Sequence, residues 1–194
     1  MYHQLLSVLS RILTQLYKSR LKVIYHWSEV WRSLLSFARF LTSYADDLKS
    51  MGGTSEIVDT LVEVLSTAMT SGEAFLPDAT SYDDLFYKLV ESGEALVKLR
   101  DTYGLSEAGV SSPVNNLIGV SKHYQELIED QRAKKEHLSP REVNKIIKKG
   151  YETLNIETSE NVSQVEKFKE AEHKSELKKI VRIAVADALA VVSK

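Results

Sequence analysis

Residues 27–48 read WSEVWRSLLSFARFLTSYADDL, and within them Trp27, Trp31, Leu34, Ala38, Leu41, Ala45 and Leu48 recur at alternating steps of four and three. That spacing places one apolar stripe along one side of a helix, since successive residues turn by about 100°. A strand would demand alternation, and none is present. The same period appears on either side of this run. Upstream, Leu5, Leu9, Ile12 and Leu16 define a first helix over about 3–19, with Leu6 and Leu13 widening its apolar face. Downstream, Gly52-Gly53 ends the run, and Ile57, Val58, Leu61, Val62 and Leu65 form the inward face of a third helix opened by Thr54 or Ser55.

Further along, Ser81 followed by Asp83 and Asp84 marks the start of a fourth helix carrying Leu85, Phe86, Leu89, Leu96 and Val97. Residues 104–111 read as a polar linker. Ser112-Pro113 then supplies a cap and a proline at the first helical position of a fifth helix, with Leu117, Val120, Tyr124, Leu127 and Ile128 inward. Ser139-Pro140-Arg141-Glu142 has the pattern of a capping box, in which Ser139 and Glu142 satisfy each other's backbone N–H groups. The sixth helix is predicted from there to about Leu154. Val165, Phe168, Ile180, Val181, Ala184, Val185, Ala188, Leu189 and Val192 point to a terminal helix. The reading is all-α, about seven helices in one domain over 1–194, as an armadillo- or HEAT-like solenoid or a compact bundle.

Composition narrows the function. Twenty-five basic against 27 acidic side chains leave a net charge of −2, without the basic excess of nucleic-acid binders, so no nucleic-acid partner is expected. The chain has no cysteine, which removes disulfides, thiol catalysis and Cys-ligated zinc. No run approaches the roughly 18 apolar residues of a membrane span. Up to Glu29 there is no acidic residue, while Arg11, Lys18, Arg20 and Lys22 interleave with leucines. That composition is shared with mitochondrial presequences, but the stretch reads well as a first core helix.

Catalytic chemistry is missing from the pattern. Gly52-Gly53-Thr54 lacks the lysine and spacing of a phosphate loop and reads as a helix end. His3, His26, His123, His137 and His173 are never three or four apart, so no pair shares a helix face to grip zinc. Glu170 and His173 form a lone Glu-x-x-His within a run of mixed charge, which reads as a solvated face. Neither an enzyme nor a cofactor is expected.

Two features could serve binding. Phe75, before Leu76-Pro77, reads either as an anchor tucked under its loop or as a docking knob. On the sixth helix Arg141, Lys145, Lys148 and Lys149 fall within a sector of about 100°, opposite Val143, Ile146, Ile147, Tyr151 and Leu154. They form a basic ridge, either a solvated face or a dock for an acidic segment or anionic membrane.

Four strings in order along the chain carry a resemblance. They are Tyr2-His3-Gln4-Leu5-Leu6, Trp27-Ser28-Glu29-Val30-Trp31, Phe75-Leu76-Pro77 leading to Ser81-Tyr82-Asp83-Asp84-Leu85-Phe86-Tyr87, and Tyr151-Glu152-Thr153-Leu154. Together they resemble the C-terminal region of the armadillo-like helical domain-containing protein 3 family. The resemblance implies a cytosolic scaffold at Golgi membranes. Its implied partners are phosphatidylinositol 4-kinase beta, whose phosphatidylinositol 4-phosphate production it supports, and an Arf-like small GTPase. No partner-binding residue of the family is placed on this sequence. A peripheral anionic-lipid-binding domain is the alternative, with the acid-free first helix and the basic sixth helix touching headgroups.

Overall fold

The first helix, α1 (Tyr2–Ser19), stops at Arg20, which adopts the left-handed conformation with φ 49° and ψ 37°. The computed structural model describes residues 1–105, 112–134, 139–150, 174–175, 178–183 and 185–186, without the side chains of 134, 140, 141 and 144. Arg20 is the one non-glycine residue with positive φ among them. Its N–H reaches the carbonyls of Leu16 and Tyr17, and the Leu21 N–H donates to the Leu16 carbonyl at 3.0 Å. This is the glycine-type helix stop made with a β-carbon in place, which costs about 1 kcal/mol. Arg20→Gly is therefore expected to raise the unfolding free energy by about 0.5–1 kcal/mol. Urea denaturation of Arg20→Gly beside Arg20→Ala checks this, because alanine loses the same charge and keeps the strain.

The described residues fall in two compact units, 1–162 and 163–194. In the second, residues 178–183 and 185–186 are helical. Ala184, Ala188, Leu189 and Val192 lie outside the described residues, as do 106–111 of the expected linker and 151–154 of the sixth helix.

In the first unit the apolar run from Trp27 forms α2 (Trp27–Ser43), burying Trp27, Trp31, Leu34, Leu35, Ala38 and Leu41. It does not continue to Leu48. Tyr44, at φ −113° and ψ 27°, breaks the helix, and a single turn, α3 (Ala45–Lys49), follows with Asp46 and Asp47 at its positive end. Next comes α4 (Thr54–Ser71), started by Gly53 at φ 86°. Thr54 does not cap it: its hydroxyl turns back to donate to the Leu48 carbonyl at 2.7 Å. A 3-10 turn (Gly72–Ala74) closes the segment.

The helix expected from Ser81 is two. α5 (Ala79–Glu91) is capped by Asp78, whose carboxylate accepts the Ser81 N–H at 2.8 Å. α6 (Gly93–Tyr103) begins after Ser92 leaves helical geometry at φ −105° and ψ 7°. Three groups hold the break. Arg39 donates to the Ser92 hydroxyl at 3.0 Å, Gln125 donates to the Val90 carbonyl at 3.2 Å, and Gly93 brings the backbone so near Ser121 that a β-carbon would overlap it. The remaining helices are α7 (Pro113–Lys134) and α8 (Pro140–Gly150). No strand occurs among the described residues.

α4 is the hub. α1, α2 and α7 all pack on it, and it buries Val58, Leu61, Val64, Leu65, Ala68 and Met69 completely. α7 joins it to α5 and α6, and α8 closes on α5 and α7. Against this core Trp31 is fully buried, its ring stacked on Trp27 with centroids 5.4 Å apart and planes 15° from parallel.

Candidate functional site

The basic ridge is set by the way α8 lands on its neighbours. Glu142 accepts the Ser139 N–H at 2.8 Å, as a capping box requires. The return bond differs from expectation, because the Ser139 hydroxyl donates to the same carboxylate at 2.8 Å while the Glu142 N–H takes the Ser139 carbonyl at 2.9 Å. Val143 and Ile147 are buried beneath the helix and Ile146 is half-buried. At its end the backbone of Gly150 lies on the ring of Tyr124, with no room for a methyl group. Tyr124 in turn meets Phe86 edge-on, centroids 5.6 Å apart.

Lys145, Lys148 and Lys149 are exposed. Arg141 sits in the first turn, and its side chain is outside the described residues. Lys148 also makes an ion pair within the fold. Its ammonium lies 3.4 Å from the carboxylate of Asp83, whose side chain is 4% exposed. A carboxylate this deep needs a compensating charge, so Lys148 belongs partly to the fold. Beside it, the hydroxyl of Tyr82 donates to the Met69 carbonyl at 2.6 Å, and burial, with the Glu73 charge, pushes that phenol up to about 12.

Phe75 is fully buried, its ring 5.6 Å from that of Trp27. Its carbonyl accepts the N–H of Val23 at 3.1 Å, which ties the α1–α2 loop to the turn after α4. The structure thus places Phe75 under the loop and in the core.

Sequence reasoning missed a second surface. Of the two apolar edges of α1, the helix turns Leu6 and Leu13 onto α4 and leaves Leu5 and Ile12 exposed. Leu9 and Leu16 of the expected stripe pack half-buried against the core, and with Ile12, Val23, Tyr25 and Trp27 they line an open apolar groove of about 650 Å³. The signal was available, since Leu6 and Leu13 added to Leu5, Leu9, Ile12 and Leu16 make an apolar face wider than one neighbouring helix covers.

Among the described residues no group of three or more His, Cys, Asp or Glu side chains is placed to hold a metal. No described helix is long and apolar enough to cross a membrane. Glu170 and His173 lie outside the described residues.

The model of one family, described as the C-terminal part of armadillo-like helical domain-containing protein 3, matches residues 1–190. The chain belongs to that family. Relatives bearing that name include one from Homo sapiens, 24% identical over 186 residues, and one from Xenopus laevis, 23% identical over the same length. Each match covers 90% of this chain and 27% of the relative, so the chain spans about a quarter of the relatives' length. A protein of Schizosaccharomyces pombe, named as a membrane protein, is 30% identical over 99 residues, covering 48% of this chain and 16% of its own. No solved structure matches. The family's armadillo-like helical architecture agrees with the all-helical fold described above.

Proposed function

We propose that the chain is a non-catalytic scaffold module that holds phosphatidylinositol 4-kinase beta at cytoplasmic Golgi membranes, in company with an Arf-like small GTPase, and so supports phosphatidylinositol 4-phosphate production. Family membership over 1–190 carries the reading. In it, the ridge of Arg141, Lys145, Lys148 and Lys149 docks an acidic segment of a partner, with Lys145 and Lys149 as the cations not engaged with Asp83. Exposed charges of this kind act mainly on association rate and salt sensitivity.

The test is a pull-down from cytosol with the chain as bait, read by mass spectrometry. The expected result is recovery of the lipid kinase or a Golgi GTPase at low salt, reduced several-fold by Lys145→Glu with Lys149→Glu while the melting temperature stays put. Recovery of neither protein by the parent chain would remove the partner assignment. Equal recovery by parent and double variant would leave the partner and remove the ridge.

A further inference from the structure

The loop between α1 and α2 turns three apolar side chains to solvent. Ile24 is 91% exposed, Tyr25 63% and Leu21 56%. Isolated exposed apolar residues are ordinary, but three within five positions at the tip of one loop are a concentrated apolar surface.

This outward display is built into the backbone. The Val23 N–H is held by the Phe75 carbonyl at 3.1 Å, and the Val23 carbonyl accepts the indole N–H of Trp27 at 2.8 Å. With both peptide groups of Val23 engaged, its side chain turns inward and packs on the core, while Leu21, Ile24 and Tyr25 face out. The Tyr25 ring stands edge-on to Trp27 at 5.8 Å. At the other end, the left-handed Arg20 fixes the direction in which the loop leaves α1.

Within residues 1–28 every charged side chain is basic, and Glu29, just beyond them, lines the same groove as Tyr25. No Asp or Glu occurs before Glu29, whereas Lys18, Arg20 and Lys22 flank the apolar tip, and all three are exposed. Glu73 shares a cleft with Arg20 and Lys22, and Asp78 feels the charge of Lys22. Both acids come from the segment on which the loop rests, residues 72–78. Apolar prongs flanked along the chain by three exposed cations suit a bilayer whose headgroups are anionic: the prongs enter the boundary between headgroups and acyl chains, and the cations meet phosphate and carboxylate groups.

We propose that the α1–α2 loop is a membrane-docking tip for an anionic lipid surface, with Leu21, Ile24 and Tyr25 as the inserting residues and Lys18, Arg20 and Lys22 as the headgroup contacts. This docking is independent of any protein partner. It needs no membrane-spanning helix.

Flotation of the purified chain with phosphatidylcholine vesicles, with and without phosphatidylserine, tests it. The parent chain should float with the phosphatidylserine vesicles, less at high salt, and far less with phosphatidylcholine alone. Ile24→Asp should reduce the vesicle-bound fraction at least tenfold with an unchanged thermal melt, because a side chain this exposed contributes little to folding. Ile24→Leu should keep binding. Arg20→Gly separates folding from docking: the variant should be more stable than the parent and yet bind several-fold more weakly. The proposal is overturned if the parent fails to float with anionic vesicles, floats equally well with neutral ones, or floats unchanged as Ile24→Asp. A chain that loses flotation as Ile24→Asp but still captures the same proteins from cytosol supports it, and keeps it distinct from partner binding.

Discussion

Trp31→Ala is expected to lower the unfolding free energy by about 3–4 kcal/mol. Its side chain is fully buried and stacked on Trp27, on a helix that packs against α4, α5 and α6, so its removal leaves a cavity that the flanking helices cannot close. One term works in the opposite direction. The indole N–H has no hydrogen-bond partner among the described residues, so deleting it also relieves an unsatisfied buried donor, worth about 1 kcal/mol or more. For that reason the expected loss falls toward the lower part of the usual range for a buried tryptophan. Trp31→Phe keeps most of the volume and drops the donor, so it should lose no more than about 1–2 kcal/mol. Urea unfolding of both variants decides the matter. Equal and small losses would mean that the Trp27–Trp31 stack is not a support of the core.

The second large effect is expected at Lys148. Changing it to Glu brings a carboxylate to within a few ångströms of Asp83, which is nearly out of reach of solvent. Two costs combine, the loss of the compensating ammonium and a new like-charge repulsion, and together they should lower stability by about 2–3 kcal/mol. The effect falls below the usual range for fully buried pairs because the Lys148 side chain is 55% exposed and water screens it. Lys148→Met isolates the first cost, and about 1–2 kcal/mol is expected for it, since the methylenes still cover the helix. Thermal unfolding of Lys148→Glu, Lys148→Met and the Lys145→Glu/Lys149→Glu pair separates a folding role from a docking role. If Lys148→Glu melts with the parent, the Asp83 contact is incidental. A consequence for binding experiments follows: a triple reversal that includes Lys148 confounds partner loss with unfolding of α8.

The helical class and most helix starts were legible from spacing alone, because the apolar stripe of α2 and the Ser112-Pro113 start of α7 are local signals. What escaped was set by tertiary contacts. The break at Ser92 depends on Arg39 and Gln125, both distant in sequence. The cap of α5 moved from Ser81 to Asp78 because both residues are capable acceptors three positions apart, and the chain uses the earlier one. On α1 the apolar face is wider than its neighbours cover, and only packing decides that Leu6 and Leu13 are buried, Leu9 and Leu16 half-buried, and Leu5 and Ile12 exposed. The ridge on α8 was visible as a pattern of charge. The demand that Asp83 makes on Lys148 was not, since nothing local to Ser81-Tyr82-Asp83-Asp84 says which of the two aspartates turns inward.

The clasp on Val23 has a kinetic consequence. Its two peptide hydrogen bonds and the left-handed stop at Arg20 give the loop one geometry when the chain folds, so no ordering of the backbone is left for the moment of encounter. Landing on a target should then be a single-exponential process whose rate rises linearly with target concentration, without the plateau that a prior loop rearrangement imposes. Residence time would carry the differences between variants: trimming Ile24 should hasten departure, and removing a neighbouring cation should slow arrival.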